Sequence, residues 1–273
     1  MSSPTGGDGN RRPTKAEKKE EARLEREQIQ RKMAARKRNR NLGFIAIAVA
    51  VVAVVVAVVI VQPGGEDTPS GAFPTPQQLL DQAAAATTSA GCDDVQTVGF
   101  YDGVDDPESP DYTDQAHIGN DERFPEIPAL TTYPSIPPTS GPHANIPPGP
   151  LPAGVYDDPP DLARAIHSLE HGATVIWYSP SATGEQLDQL KGFYEQTLDD
   201  AALERVIVAP YDYEGEGGQL PSGVMMAPTA WHRLQSCAQV NLAVAFDFSS
   251  QFSAPPAEGR EYAGEAPEAG AGL

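Results

Sequence analysis

The densest chemistry in the chain lies in His167-Ser-Leu-Glu170-His171-Gly172, an H-x-x-E-H stretch. On a helix, residues four apart stand one turn apart on the same face, so His167 and His171 have the spacing with which two imidazoles reach one metal ion. Glu170 is at hand as an oxygen ligand, or as the acceptor that fixes a ring tautomer. The same letters are the inverted signature of zinc peptidases, in which the Glu activates metal-bound water. That chemistry needs a third ligand and an open coordination position. Here the helix stops at Gly172, directly after the second His, and no second helix offers an obvious ligand carboxylate. Hydrolysis is therefore the least favoured reading of the motif.

Two further histidines, His117 in "AHIGND" and His143 in "SGPH", lie in a proline-rich region and complete a candidate set of His117, His143, His167, His171 and Glu170. Imidazole ligands suit zinc, copper, nickel and iron, and copper or zinc is the expected cofactor. Met225 and Met226 are additional candidate ligands that would tilt the choice towards Cu(I). Adjacent strand residues face opposite sides, so at most one thioether could join. Two other readings stay open: histidines that are structural, bonding loop carbonyls or a helix terminus, and a metal-free site in which one acts as acid or base. No catalytic residue is assigned. Ser140 in "TSGPH" belongs first to a turn, "GEGGQLPSG" lacks the lysine of a phosphate loop, and Cys92 and Cys237 are not a C-x-x-C pair.

The motif needs a helix to present it. "DPPDLARAIHSLEHG" predicts one over residues 159–171, with Asp158 as N-cap, prolines in the first turn and Gly172 at the end. Leu162, Ile166 and Leu169 form its apolar stripe, and His167 and His171 fall roughly opposite. Something must cover them. The coil from Val95 to Asp158, too rich in proline for helix or central strand, carries His117 and His143 and is the available cover. Beyond it, "ATVIWYSP", "SATGEQLDQLKGFYEQTLDD" and "ERVIVAP" read as strand, helix and strand in a parallel crossover. "GVMMAPTAWHRLQSC" reads as a strand or hairpin and "VNLAVAFDFSSQF" as a closing helix. The predicted fold is a small α/β or α+β domain, one small sheet with a proline-rich wrapping coil, over residues 91–254. A disordered tail is expected over 255–273.

The rest of the 273 residues, with a formal charge of -19, places this domain in the cell. Between Arg11 and Arg40 stand 13 Lys/Arg against five Glu, a solvated and helical arm within residues 1–41. Residues 42–62 hold an uncharged apolar run, long enough at 1.5 Å per residue to cross a hydrocarbon core of about 30 Å. No small-residue cleavage site follows it, so the span is read as an uncleaved anchor leading into a stalk over 63–90. The basic arm puts the N-terminus in the cytoplasm and the C-terminal domain outside, in the cell membrane as a single-pass protein. Its basic end suits anionic lipid headgroups. The chain after the arm has six basic residues against 32 acidic ones, which argues against nucleic acid and leaves an envelope protein as the other candidate partner. Cys92 and Cys237 both lie on the outer side, where a disulfide between them would persist.

Taken in order, "YPSIPPTSGPH", "AGVYDDPP", "HSLEHG", "ERVIVAP" and "MAPTAWHRLQSC" resemble a family of membrane-anchored bacterial proteins catalogued as domain of unknown function 3105. The resemblance covers about residues 90 to 255. It implies that His117, His143, His167, Glu170 and His171 recur, and it implies no activity, because none is established for the family. The chain departs from the pattern at His232, where a small residue is expected after Trp231. The leading expectation is a membrane-anchored extracytoplasmic domain with a histidine-rich site for a transition metal. The alternative is a metal-independent envelope interaction module, with a metal-dependent hydrolase third.

Overall fold

The runs Thr174–Tyr178 and Val206–Pro210 are largely apolar and buried at every position, the pattern of strands covered on both faces. They are the two central parallel strands of the computed structural model, which describes residues 73–197 and 203–273. The basic arm, the span at 42–62 and the stalk up to residue 72 lie outside the described residues. Among those described, no helix is long and apolar enough to cross a membrane.

Six strands form one mixed sheet: β1 (Gln96–Thr97), β2 (Gly154–Val155), β3 (Thr174–Tyr178), β4 (Val206–Pro210), β5 (Met226–Ala230) and β6 (Arg233–Leu234). Their spatial order is β1-β6-β5-β3-β4-β2. β2 and β3 flank β4 in parallel, and β5 runs antiparallel to β3. The expected crossover is present, with helix α3 (Glu185–Thr197) between β3 and β4. The "MAPTAWHRL" segment is a hairpin whose two-residue turn puts His232 at φ 56. The proline-rich coil is less uniform than its composition suggests. It supplies both edge strands, β1 and β2, at short proline-free stretches where a ladder can form.

Side-chain alternation along the strands divides the core into two layers. Ile176, Tyr178, Val206, Val208 and Met226 face α1 (Pro76–Ser89), α3 and α4 (Leu242–Phe252). Val175, Trp177, Ile207, Ala209 and Ala227 face α2 (Leu162–Glu170) and the proline-rich coil. Helix α1 starts at a capping box: Thr75 Oγ1 accepts from the Gln78 N–H, and Gln78 Oε1 accepts from the Thr75 N–H at 2.8 Å. Leu79, Ala83 and Ala86 share its buried face, and Phe73 meets Phe193 edge-on. Packing thus begins ahead of residue 91, inside the stretch expected as stalk. α4 opens on Asn241, whose Oδ1 accepts from the Ala243 and Val244 N–H groups. The disulfide Cys92–Cys237 ties the end of α1 to the strand segment after β6, with Cα atoms 3.9 Å apart across 145 residues.

The tail over 255–273, expected to be disordered, lies back on the domain instead. The Ala254 N–H bonds to Gly172 O, Ala263 N–H to Gln251 O, Glu268 N–H to Glu170 O, and Gly270 N–H to His171 O. The segment is held by backbone hydrogen bonds to the ends of α2 and α4 and by the ion pairs Arg260–Asp247 and Arg233–Glu265, which composition does not report.

Candidate metal centre

Helix α2 begins later than predicted. Asp161, not Asp158, is the N-cap, accepting from the Arg164 N–H at 3.2 Å. Pro160 bars Pro159 from helical geometry, so both prolines precede the helix instead of filling its first turn. The far end is as the sequence requires. His171 is the C-cap and Gly172 sits at φ 83; its N–H donates to Leu169 O at 3.0 Å, and the Ala173 N–H donates to Ser168 O at 2.9 Å. This pair of bonds is a Schellman motif, which only a residue at home in the left-handed region closes without strain. A Cβ on Gly172 would stand 2.7 Å from the Ala254 Cβ.

The proline-rich coil covers the histidine face of α2. The Ala144 N–H donates to Ala163 O at 3.0 Å, the Leu151 N–H to Ser168 Oγ at 2.8 Å, and the Arg164 guanidinium to Gly149 O and Pro150 O. Within the coil, the His117 and His143 segments pair: the Ile118 N–H donates to His143 O at 2.8 Å and the His143 N–H to Ala116 O at 2.9 Å. The "TSGPH" stretch is buried throughout. Gly141 adopts φ 106 with a Cβ position 2.7 Å from the Tyr101 ring, and Pro142 O accepts from the Tyr133 hydroxyl at 2.6 Å. The glycine is there because no side chain fits beneath that ring.

The result is a row of rings. Centroids of His117 and His143 are 4.7 Å apart, those of His143 and His167 5.0 Å, and those of His167 and His171 4.7 Å. His143, His167, Glu170 and His171 are buried and His117 is half-buried. Among the described residues, two groups bring ligand atoms within 4.8 Å of one another: His117, His143, His167 and Glu170, and Glu170, His171 and Glu268.

The proton count within this row decides its chemistry. His143 Nδ1 lies 2.9 Å from Gly141 O, His167 Nδ1 2.6 Å from Ala144 O, and His171 Nδ1 2.7 Å from Gly272 O. A carbonyl only accepts, so each Nδ1 carries the proton and each neutral ring presents a lone pair at Nε2. These lone pairs converge. His167 Nε2 stands 3.0 Å from His171 Nε2, and His143 Nε2 stands 2.9 Å from Glu170 Oε2. The latter two atoms are close but misaligned, and neither has a hydrogen-bond partner. Acceptor thus faces acceptor at two buried places, and each needs a cation between or beside the pair. The His143–Glu170 spacing lies within a few tenths of an ångström of the edge, about 3.3 Å, of a tetrahedron built on metal–ligand bonds of about 2.0–2.1 Å.

Beside His167 a proton is a poor candidate for that cation. Burial, and then the neighbouring His143, depress His167 to a pKa of about 4, and the same two causes lower His117. Neutral imidazoles with Nδ1 held by backbone carbonyls are the form in which histidine ligates metals. An open cleft of about 700 Å³, lined by Tyr112, Gln115, His117, Asn120 and Arg123 among others, reaches the half-buried His117 and offers an entry path. The Tyr112 phenol there is pushed up to about 12 by burial and by the carboxylates of Asp114 and Glu170, so it stays neutral.

Other sequence candidates lie elsewhere. Met226 is fully buried in the layer of α1, α3 and α4, and Met225 packs on that same cluster. The expectation of a thioether ligand fails because strand alternation sends Met226 to the face opposite α2. Ser140 donates to Asp114 Oδ1 at 2.7 Å and is fully buried, with no histidine on its hydroxyl. His232 is outside the row and has its own partners: Val98 O at 3.0 Å from Nδ1 and Asp114 Oδ2 at 3.0 Å from Nε2. Glu268, whose Oε2 is 3.2 Å from His171 Nε2, was not legible. It stands in "GEAPEAGAGL", where no motif or period marks it.

The family model described as "Protein of unknown function (DUF3105)" matches residues 128–267, just over half of the chain. The chain belongs to this family. The DUF3105 segment includes His143, His167, Glu170 and His171, begins after His117 and ends one residue before Glu268. No curated protein and no solved structure matches the chain.

Proposed function

We propose that this DUF3105 protein is a single-pass membrane protein whose extracytoplasmic domain binds a transition metal, zinc or copper, at His117, His143, His167 and Glu170. The observation that carries the reading is the buried, unsatisfied approach of His143 Nε2 to Glu170 Oε2 at 2.9 Å, beside two further Nε2 lone pairs. Leaving such groups unpaired costs about 1–3 kcal/mol each, which a shared cation removes. Three imidazoles and one carboxylate suit zinc or copper(II), and the lack of a nearby thioether removes the argument for copper(I). The burial of every ligand but His117 supports binding over hydrolysis, since a hydrolytic metal keeps an open position. Outward placement is supported by the Cys92–Cys237 disulfide, together with the basic arm and apolar run ahead of the domain.

The test is elemental analysis of the full-length chain, purified in detergent without a histidine tag. Near-stoichiometric zinc or copper is expected, lost in the His143→Ala/His167→Ala double variant. Folded wild type that carries no metal and takes up none on titration would leave the cluster structural, and attention would move to protein partners in the envelope.

A further inference from the structure

The first ligand group leaves His171 and Glu268 unused, and their geometry repeats that of the first. His171 Nδ1 is committed to Gly272 O at 2.7 Å, so its Nε2 lone pair faces Glu268 Oε2 at 3.2 Å and His167 Nε2 at 3.0 Å. One atom each of Glu170, His171 and Glu268 falls within 4.8 Å of the others. Glu170 is common to both groups, as a carboxylate bridging two ions must be.

The tail supplies an independent observation. Residues 264–273 offer only small apolar side chains apart from Leu273, with Ala266 packed on the core. They are nonetheless fixed over the end of α2 by three hydrogen bonds: Glu268 N–H to Glu170 O at 3.0 Å, Gly270 N–H to His171 O at 3.2 Å, and the His171 ring to Gly272 O. All three end on Glu170 or His171. The tail is therefore held by the two residues to which its own carboxylate adds a third ligand.

From this we infer that the centre is dinuclear: a second transition-metal ion sits at His171 and Glu268 and shares the Glu170 carboxylate with the first. The inference rests on the proposed metal-binding function and extends it. The two sites differ in access. The first is buried, whereas the Glu268 side chain is 53% exposed, so the second ion has a face open to water and exchanges more readily. Such an ion keeps a position for an exogenous oxygen ligand.

The experiment compares the metal-free full-length chain in detergent with Glu268→Ala, a change at an exposed side chain that leaves the core intact. A second variant ends the chain after Pro267. Each is titrated with Cu(II) and followed by bound equivalents and by electron paramagnetic resonance. Two equivalents with a spin-coupled signal are expected for wild type. One equivalent with an isolated Cu(II) signal is expected for both variants. A wild type that binds one equivalent, unchanged by Glu268→Ala, overturns the second site and leaves the first standing. A wild type that binds none overturns both.

Discussion

His143 and His232 show how differently two buried histidines of one chain are used. His143 donates its Nδ1 proton to a backbone carbonyl and turns its other nitrogen towards the Glu170 carboxyl group, which it does not hydrogen-bond. His232 has acceptors on both sides, Val98 O and Asp114 Oδ2, an arrangement that favours the charged ring in which both nitrogens donate. Burial alone would lower its pKa, but the hydrogen bond and charge of Asp114 and the Val98 carbonyl prevail, and it is raised above 6.5. A raised histidine contributes its full stability below the unfolded value and loses it as pH rises through the folded one. Replacing His232 with Asn tolerates φ 56 while removing the charge. In metal-free protein the substitution is expected to cost about 3–5 kcal/mol near pH 6, as breaking a buried pair does. The gap should narrow at pH values above the folded pKa, read by denaturant melts of both proteins across pH.

At the scale of the element, α2 has to end where it does. Its C-cap places His171 Nδ1 towards the tail, and the left-handed Gly172 turns the chain into β3 while leaving room for Ala254 and Ala269. Arg205 Nη1, from the residue before β4, donates to the freed His171 carbonyl at 3.0 Å and answers the negative end of the helix. Gly172→Ala is expected to cost about 1–3 kcal/mol from backbone strain. The added Cβ also pushes against Ala254 and Ala269, so the same variant should expose the tail to protease. Limited proteolysis after Arg260, compared with wild type, reads that second effect.

For the whole molecule, the sheet is a wall between two kinds of layer. One side is an apolar sandwich of α1, α3 and α4; the other is a single helix and a coil that share an apolar cluster, add hydrogen bonds to it and enclose the histidines. The Cys92–Cys237 disulfide belongs to the first side, where the Asp93 N–H also reaches Ser236 O at 2.9 Å. Closing a loop of this length, it should stabilise through the unfolded chain without touching the centre. The Cys92→Ser/Cys237→Ser variant is expected to lose about 2–5 kcal/mol of stability. Its folded fraction should bind the same number of metal equivalents as wild type. Unequal metal content in the folded fraction would show that the two layers are coupled.

Strong local signals were readable from the sequence. The crossover of β3, α3 and β4, the closing helix α4, the Gly172 terminus and the family all follow from period, cap chemistry and motif order, which act within about 20 residues. His167 and His171 share a helix face for the same reason. Other features depend on residues that meet only after folding. Strand alternation sent Met226 away from the histidines, two backbone hydrogen bonds of one isolated bridge inside an irregular coil brought His117 to His143, and Pro160 moved the N-cap of α2 to Asp161. Glu268 is the extreme case. A carboxylate in an alanine- and glycine-rich tail carries no signal of its own, and it comes to stand 3.2 Å from His171 only because the carbonyls ending α2, which no helix bond can satisfy, accept the tail's N–H groups.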